Sequence, residues 1–320
     1  MIRFLSARLL QSLIVLIVMS FLIYALIGLM PGDPIDLMLS ANPDFTSEDA
    51  ARLKALYGLD QPLLTRYGNW LIAALGGDFG YSRLYSQPVL DVVGPRLANT
   101  ALLVGISLAL SLLLAIPLGI AAAVRPYSPI DYLVNLSCFA GISAPPFWLA
   151  LMAIMLFSVT LGWFPAGGQA PPGASPWETL QHAVLPIGVL TLASVGGFTR
   201  FMRASMVQTL RQDFIRTASA KGLSRTRVVY GHALRNALLP MVTIVALSFG
   251  TLFSGALITE TMFAWLGMGK TIYDAILGND FNLALVGLLM ATGMTLLGNV
   301  LADLSYVALD PRLDFRAEGT

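Results

Sequence analysis

The segment AWLGMGKT, residues 264–271, ends in the Gly-Lys-Thr that closes a phosphate-binding loop. Such a loop needs glycine where this chain has Ala264, and it joins a strand to a helix. Here the segment follows a long apolar run instead of a strand. We therefore expect a glycine-rich turn on the outer surface of a membrane rather than a nucleotide site.

The two histidines and the single cysteine are the other residues with catalytic or metal-binding chemistry. His182 and His232 flank different apolar runs and are expected on opposite sides of a membrane, so they cannot share a metal ion or a proton. Cys138 lies inside an apolar run, and one cysteine excludes an intrachain disulfide. The sequence therefore predicts no catalytic residue, no metal site and no cofactor bound by this chain.

The composition is typical of a membrane protein. Of the 320 residues 56% are hydrophobic and only 12% are charged, whereas about a quarter are charged in soluble domains. A helix needs about 20 apolar residues to cross a bilayer, and six stretches are long enough. They cover residues 9–30, 100–124, 132–161, 183–206, 237–259 and 283–309. We predict an all-α, multi-pass membrane protein with about six transmembrane helices.

The distribution of Lys and Arg predicts the orientation of these helices. If the N-terminus lies in the cytoplasm and the six spans alternate, 13 of the 19 basic residues face the cytoplasm. Eight of them lie between Arg200 and Arg235. The opposite orientation would place this basic stretch outside, against the positive-inside rule. We therefore place both termini in the cytoplasm.

The polar stretch of residues 31–99 is predicted to form an extracytoplasmic cap. Within it, Thr46 or Ser47 can cap a helix whose first turn carries Glu48 and Asp49. The cap separates residues 1–30, the cytoplasmic N-terminus and first span, from a membrane core over residues 100–310. Residues 311–320 are predicted to be a cytoplasmic tail. The loop of residues 162–177, rich in Pro and Gly, is predicted to be irregular and on the outer surface.

A cytoplasmic segment over residues 207–236 interrupts the membrane core. Its part DFIRTASAKGLSRTRVVYGHALRN, residues 213–236, contains five Lys or Arg residues and one Asp. Met206, Leu210 and Phe214 recur at steps of four, which predicts one face of a helix. Gly222 can end that helix in the left-handed conformation, and Ser224 can cap a second helix.

Two interpretations of this segment stay open from the residues alone. It can lie on anionic lipid headgroups, which attract basic juxtamembrane segments. It can instead be a helix that docks on a cytoplasmic partner, because small residues such as Ala218 and Ala220 permit another surface to approach closely.

The segment resembles the EAA loop of permease subunits of ABC importers for dipeptides and oligopeptides. That family reads YxRTARAKGL…HALRNAxxP, and this chain reads FIRTASAKGLSRTRVVYGHALRNALLP. The Glu-Ala-Ala of the wider superfamily is replaced by Arg216, Thr217 and Ala218, as in the peptide branch. MPGDP, GDFGYS, SGALITETMFAWLGMGKT and ALDPRLDFR also resemble family segments, so the likeness covers nearly the whole chain. It fits the subunit type with a long first extracytoplasmic loop.

The resemblance implies a type I importer-like fold and a transport subunit of a prokaryotic inner membrane, with no enzymatic activity of its own. A second related permease would complete the pathway as a heterodimer. Two cytoplasmic ATP-binding subunits would hold MgATP and drive transport, and an extracytoplasmic binding protein would deliver the peptide. Membrane lipid is also an expected partner, and nucleic acid is not.

The resemblance also implies a coupling helix at about residues 212–221, which would sit in a cleft of an ATPase and move as a rigid lever. The residues assigned to coupling are Arg216, Thr217, Ala218, Ala220, Lys221, Gly222, Leu223 and Ser224.

Candidate pathway or gate residues are Pro145, Pro146 and Glu260. Prolines inside a span kink the helix and leave carbonyl groups that must face protein or a wet cavity, which favours a pathway lining at SAPPFW; simple helix packing is the alternative. Glu260, at the outer end of the fifth span, can form an outer gate or meet the amino terminus of a peptide, and an interfacial role also stays open. Asp303 can pair with a nearby arginine.

Three other functions remain as alternatives. The same scaffold can import nickel complexes, glutathione or another small solute, because the binding protein contributes much of the specificity. A stand-alone secondary transporter or channel would carry charges inside several spans, whereas this chain clusters its charges outside them. A scaffold for an ATPase complex would pass no solute.

Overall fold

The computed structural model describes residues 2–29, 61–171 and 173–309. The helix predicted at Thr46 or Ser47 and the tail of residues 311–320 lie outside these residues. In the first half of the described chain the elements are α1 (Ile2–Ile27), α2 (Leu63–Leu75), β1 (Tyr81–Ser82), β2 (Gln87–Pro88), α3 (Val89–Val124), α4 (Pro129–Ser143) and α5 (Pro146–Ala153). In the second half they are α6 (Pro176–Leu210), α7 (Asp213–Ala220), α8 (Leu234–Met262), α9 (Met268–Leu277) and α10 (Phe281–Leu309). Wider π-helical turns, Ile154–Thr160 and Arg227–Ala233, extend α5 and precede α8.

The helices agree with the predicted spans in number. Within the described residues, five helical stretches are long and apolar enough to cross a membrane, and the α4–α5 pair makes a sixth if it counts as one span. The short strands β1 and β2 form an antiparallel hairpin just before α3, with Tyr81 opposite Pro88. Apart from this hairpin, the described part of the chain is all-α.

The predicted second span lies in a helix that starts well before the membrane. Helix α3 begins at Val89 rather than at Thr100, and its first turns bury Val89, Val92 and Val93 in a cluster with residues of α9 and α10. An amphipathic stretch extends the helix because packing on the outer layer, rather than lipid, covers its apolar face. Hydropathy alone could not locate this start.

The predicted third span is two helices and not one straight rod. Helices α4 and α5 meet at a bend of 97°. Ala144 and Pro145 both adopt extended backbone, with ψ of 122° and 137°. Each of them precedes a proline, and a residue before proline is disfavoured in the helical conformation. The consecutive Pro145 and Pro146 therefore break the span rather than merely kinking it.

Helix α6 packs along α3 and forms the centre of the bundle. Ser175 and Glu178 form a reciprocal capping box at its start, which fixes the N-terminus at Pro176. Toward the other end, a Cβ atom on Gly119 of α3 would lie 2.7 Å from the Cβ of Met202 of α6. Only glycine permits this approach, and close helix contacts of this kind are common in membrane proteins.

Candidate functional site: the cytoplasmic coupling helix

Helix α7 is a short amphipathic helix set between two long ones. Ile215 and Ala218 are both 6% exposed and pack into a cluster that includes Met206 of α6 and Val228 and Val229 of the π-helical turns before α8. Burial of this face fastens α7 to both neighbouring helices, because apolar side chains are stabilised by removal from water. Helix α7 is therefore packed against α6 and against the segment that leads into α8.

The C-terminus of α7 is closed by a Schellman motif. Gly222 has φ of +77°, its amide donates to the Ser219 carbonyl at 3.0 Å, and the Leu223 amide donates to the Ala218 carbonyl at 3.4 Å. This pair of bonds, with glycine in the left-handed conformation, ends a helix sharply. The prediction that Gly222 ends the helix is confirmed by its backbone geometry.

The predicted coupling residues divide into two faces. Ala218 is buried against its own chain and Leu223 is half-buried there. The remaining six are exposed: Arg216, Thr217, Ala220, Lys221, Gly222 and Ser224. The expectation that Ala218 offers a close approach to another surface does not fit this geometry, since its methyl group already contacts the core.

The apolar stripe predicted through Met206, Leu210 and Phe214 does not run along one helix, and that prediction is wrong. Helix α6 ends at Leu210, and α7 begins in a new direction at Asp213 after Gln212 adopts extended backbone. Phe214 is consequently 42% exposed. The spacing of four gave a wrong prediction because the interruption between α6 and α7 resets the helical phase.

Ser224 lies where a second helix begins, as predicted, and its backbone carbonyl accepts a hydrogen bond from the Val228 amide at 3.0 Å. His232 is exposed on the same side. His182 instead lies beside the outer loop, where its Nδ1 is 3.2 Å from the Gly168 carbonyl oxygen.

A buried ion pair on the cytoplasmic side was not recognised in the sequence. Arg203 of α6 donates two hydrogen bonds to Asp131 of α4, from Nε at 2.5 Å and from Nη2 at 2.6 Å. Asp131 is 2% exposed and also accepts from the Tyr127 amide and the Asn135 side chain. The pair ties the start of the broken span to α6, just before α7. In the sequence, the only indication of this ion pair was the position of Asp131 at the edge of an apolar run.

Glu260 does not face an open pathway. Its carboxylate is fully buried, accepts a hydrogen bond from the Thr100 hydroxyl of α3, and accepts another from the Lys270 amide at 3.0 Å. The Thr100 hydroxyl oxygen accepts from the Met268 amide at 2.7 Å. The N-cap residue of α9 is Gly267, which has no side chain to cap the helix, so Thr100 and Glu260 satisfy its first amides from other helices. A carboxylate is also favoured by the positive end of the helix dipole.

The AWLGMGKT turn therefore has a structural role: it connects α8 to α9, and hydrogen bonds to Thr100 and Glu260 hold it in place. This connection is called the α8–α9 joint below. It follows helix α8 rather than a strand, and within the described residues no group of three metal-ligating side chains occurs here or elsewhere.

Asp303 pairs with Arg8 of α1 at 3.0 Å, which confirms the pairing with an arginine that the sequence suggested.

Pro145 and Pro146 lie at the α4–α5 bend. Pro145 is exposed and Pro146 is half-buried. At this bend the C-terminal end of α4 lies next to the N-terminal end of α5. The carbonyl and amide groups at these two ends lack partners within their own helices and need polar partners elsewhere.

This architecture defines a class of protein before any comparison. A bundle of membrane-spanning helices carries a short amphipathic helix on its cytoplasmic side, fixed to the bundle by one face and open on the other. These features define a multi-pass membrane protein with one amphipathic helix exposed outside the bundle.

Comparison with protein families identifies the chain more closely. It belongs to the family described as "Binding-protein-dependent transport system inner membrane component", whose model matches residues 115–315, and the N-terminal model of that system matches residues 1–104. The protein is thus a multi-pass inner membrane component and a permease subunit, which is not a catalytic family.

Curated relatives cover almost the whole chain. The oligopeptide transport system permease protein AppB of Bacillus subtilis is 36% identical over 318 residues, covering 98% of this chain and 100% of that protein. The dipeptide transport system permease protein DppB of Alkalihalophilus pseudofirmus is 34% identical over 340 residues, again covering 98% and 100%.

Solved structures match the fold. An inward-facing form of the MetNI methionine ABC transporter matches with a TM-score of 0.56 and 18% identity, covering 69% of this chain and 97% of that chain. An amino acid ABC transporter with histidines matches with a TM-score of 0.52 and 12% identity, covering 67% and 92%. These matches confirm the type I importer-like fold that was predicted.

Proposed function

We propose that this chain is the pore-forming permease subunit of an ATP-driven importer for dipeptides or oligopeptides. The observation that carries the proposal is the two-faced α7, with Ile215 and Ala218 locked into the chain's own core and Thr217, Ala220 and Lys221 left exposed. The relatives whose names specify oligopeptides and dipeptides supply the substrate class.

The exposed face of α7 suits a cleft on a cytoplasmic ATPase. It is small at Ala220 and basic at Arg216 and Lys221, and it ends in the tight turn at Gly222. Closure of two ATPases around MgATP would move α7, and the movement would reach α6 and α8 through the shared apolar cluster. Packed interfaces switch between discrete arrangements rather than deform continuously, so the bundle would alternate between inward and outward access. This chain itself would hold no nucleotide.

The remaining partners follow from the family. A binding protein would deliver the peptide at the outer layer formed by the β1–β2 hairpin and α9. A second related permease would supply the other half of the pathway.

Cysteine crosslinking between α7 and the ATPase tests the proposal. Cys138 is buried and is first replaced by serine; a single cysteine is then placed at Ala220, and the chain is co-expressed with its ATPases carrying a cysteine in the receiving cleft. We expect a specific crosslink whose yield changes with ATP.

A cysteine at Ala218 is the matched control, because it lies on the same helix but faces the core. The control should crosslink poorly. Equal crosslinking at both positions would show that α7 does not dock by its exposed face, and no crosslink at Ala220 would remove the coupling role.

A further inference from the structure

The described part of the chain contains a cleft on the cytoplasmic side that lies apart from the exposed face of α7. It is a shallow, open cleft of about 350 Å³ between the C-terminal end of α3, the start of α4 and the turns that precede α8. Its apolar wall is formed mainly by α3, including Pro117, Ile120 and Ala121. The coupling mechanism assigns no role to this cleft.

Two arginines from different segments line the cleft. Arg125 follows the last residue of α3, and Arg225 precedes the π-helical turns before α8. Nη2 of Arg225 donates to the Val124 carbonyl at 2.9 Å, which holds the guanidinium at the end of α3. This bond uses one of five N–H donors on the side chain. Two cations at one cleft repel each other, so the site is favourable for an anion.

The charge of the cleft is not neutralised from within the described chain. None of the residues that line it is acidic, and neither Arg125 nor Arg225 forms an ion pair with a described acid. Asp131, the nearest carboxylate in the sequence, already holds the guanidinium of Arg203. Tyr230, which is 57% exposed, adds a hydroxyl donor at the rim.

An exposed apolar strip leads from the cleft into the membrane. On α3, Leu113, Leu114 and Leu118 are 68%, 47% and 41% exposed and lie one or two turns from the lining residues Pro117 and Ala121. Residues three or four apart share a helix face. The site thus combines a cationic cleft at the end of α3 with a strip of exposed leucines on the same helix.

We propose that this cleft binds an anionic phospholipid of the cytoplasmic leaflet. Arg125, Arg225 and Tyr230 would hold the phosphate, and one acyl chain would lie along Leu118 and Leu114. Basic pockets between transmembrane helices on the cytoplasmic side suit such headgroups, and a guanidinium binds phosphate through paired N–H donors. The bound lipid would brace α3 against the segment that connects α7 to α8.

The first experiment locates the lipid on the unmodified protein. The purified transporter complex is placed in nanodiscs that contain phosphatidylglycerol with a photoreactive diazirine on the acyl chain. After illumination, peptides that carry the label are identified by mass spectrometry. We expect labelling at residues 113–121 of α3, and phosphatidylcholine with the same diazirine should label this region far less. Equal labelling by both lipids would overturn the proposal.

The second experiment measures affinity with a charge-matched control. Binding of phosphatidylglycerol is followed by native mass spectrometry for the double variant Arg125→Gln/Arg225→Gln and for Arg227→Gln/Arg235→Gln, whose exposed arginines do not line the cleft. The first variant should bind about thirtyfold more weakly, and the control should bind like the parent. An equal loss in both variants would indicate attraction to the surface in general and would overturn the site.

Two further outcomes would distinguish a bound lipid from a free anion and from the second permease. Release of the lipid by 10 mM inorganic phosphate would indicate a headgroup-only anion site and contradict the seated acyl chain. Absence of labelling at residues 113–121 in the assembled complex, with labelling in the isolated chain, would show that the second permease covers this face and would overturn the proposal.

Discussion

Asp131 and Arg203 join helices α4 and α6 through a bidentate ion pair with N···O distances of 2.5 and 2.6 Å. Asp131 is 2% exposed, and the Arg203 side chain is 25% exposed. Because both residues lie near the end of α6 that leads into α7, the pair connects the broken span to the helix that we assign to coupling. The pair therefore fixes the start of α4 to α6.

Loss of one partner of this pair should destabilise the chain strongly. Asp131→Ala leaves a largely buried guanidinium without its acid, and we expect a loss of about 3 kcal/mol of stability, as for other buried pairs. The midpoint of denaturation of the detergent-solubilised chain measures this. The matched control is Asp213→Ala, because the Asp213–Arg216 pair is exposed on both sides and such pairs contribute little. Equal effects of the two substitutions would contradict the structural role.

Gly222 is needed for its backbone conformation and not for space. A Cβ atom there would meet nothing within 4 Å, but φ is +77°. Gly222→Asn should retain ATP-coupled uptake, since asparagine tolerates the left-handed conformation. Gly222→Pro cannot adopt this φ and loses the amide bond to Ser219, so uptake should become uncoupled while membrane insertion stays normal. Uptake and ATPase rates in proteoliposomes distinguish the two, and normal coupling in the proline variant would refute the role of the turn.

Leucine substitutions at Ala218 and Ala220 should separate stability from coupling. Ala218→Leu overpacks a buried site and should cost about 1–3 kcal/mol, lowering the unfolding midpoint of the chain alone. Ala220→Leu adds its side chain on the exposed face and should leave that midpoint unchanged while weakening ATPase binding in a pull-down. The reverse pattern would mean that the faces of α7 are assigned incorrectly.

Gly267 is required because Glu260 occupies the space of its side chain. A Cβ atom at Gly267 would overlap the Glu260 carboxylate, although its φ of −101° suits any residue. Gly267→Ala should displace that carboxylate from the N-terminus of α9 and increase hydrogen exchange over residues 263–280. Gly188→Ala, in α6 with open space around the new methyl group, is the control and should not raise exchange. Unchanged exchange in Gly267→Ala would show that the α8–α9 joint does not depend on Glu260.

The bend between α4 and α5 should depend on both prolines together. Spin labels at Leu133 and Met152, which are exposed, would lie about 28 Å apart along a straight helix and roughly 18 Å apart at the observed bend, from a rise of 1.5 Å per residue. Pro145→Ala/Pro146→Ala should shift the distance distribution toward the longer value. Either single substitution leaves one pre-proline restriction in place and should keep the short distance. A short distance in the double variant would show that tertiary packing alone holds the bend.

The sequence by itself determined the number of spans, the all-α class and the glycine at which α7 ends. These properties depend on local patterns: apolar runs long enough to cross a bilayer, and a glycine that adopts the left-handed conformation. The position of the candidate coupling helix was implied by the family resemblance. The predicted helix at residues 212–221 matches α7, which runs from Asp213 to Ala220 with Gln212 and Lys221 as caps.

The tertiary structure alone decided which side chains face inward. Ala218 and Ala220 are equivalent in the sequence, yet Ala218 is buried and Ala220 exposed, because α7 lies against Met206 and Val228 from segments on either side of it. From its place at a helix end, Glu260 was a candidate for an outer gate or for an interfacial role, and only the tertiary structure shows that Thr100 of a distant segment hydrogen-bonds its carboxylate. Such pairings join residues far apart in the chain, and no local spacing encodes them.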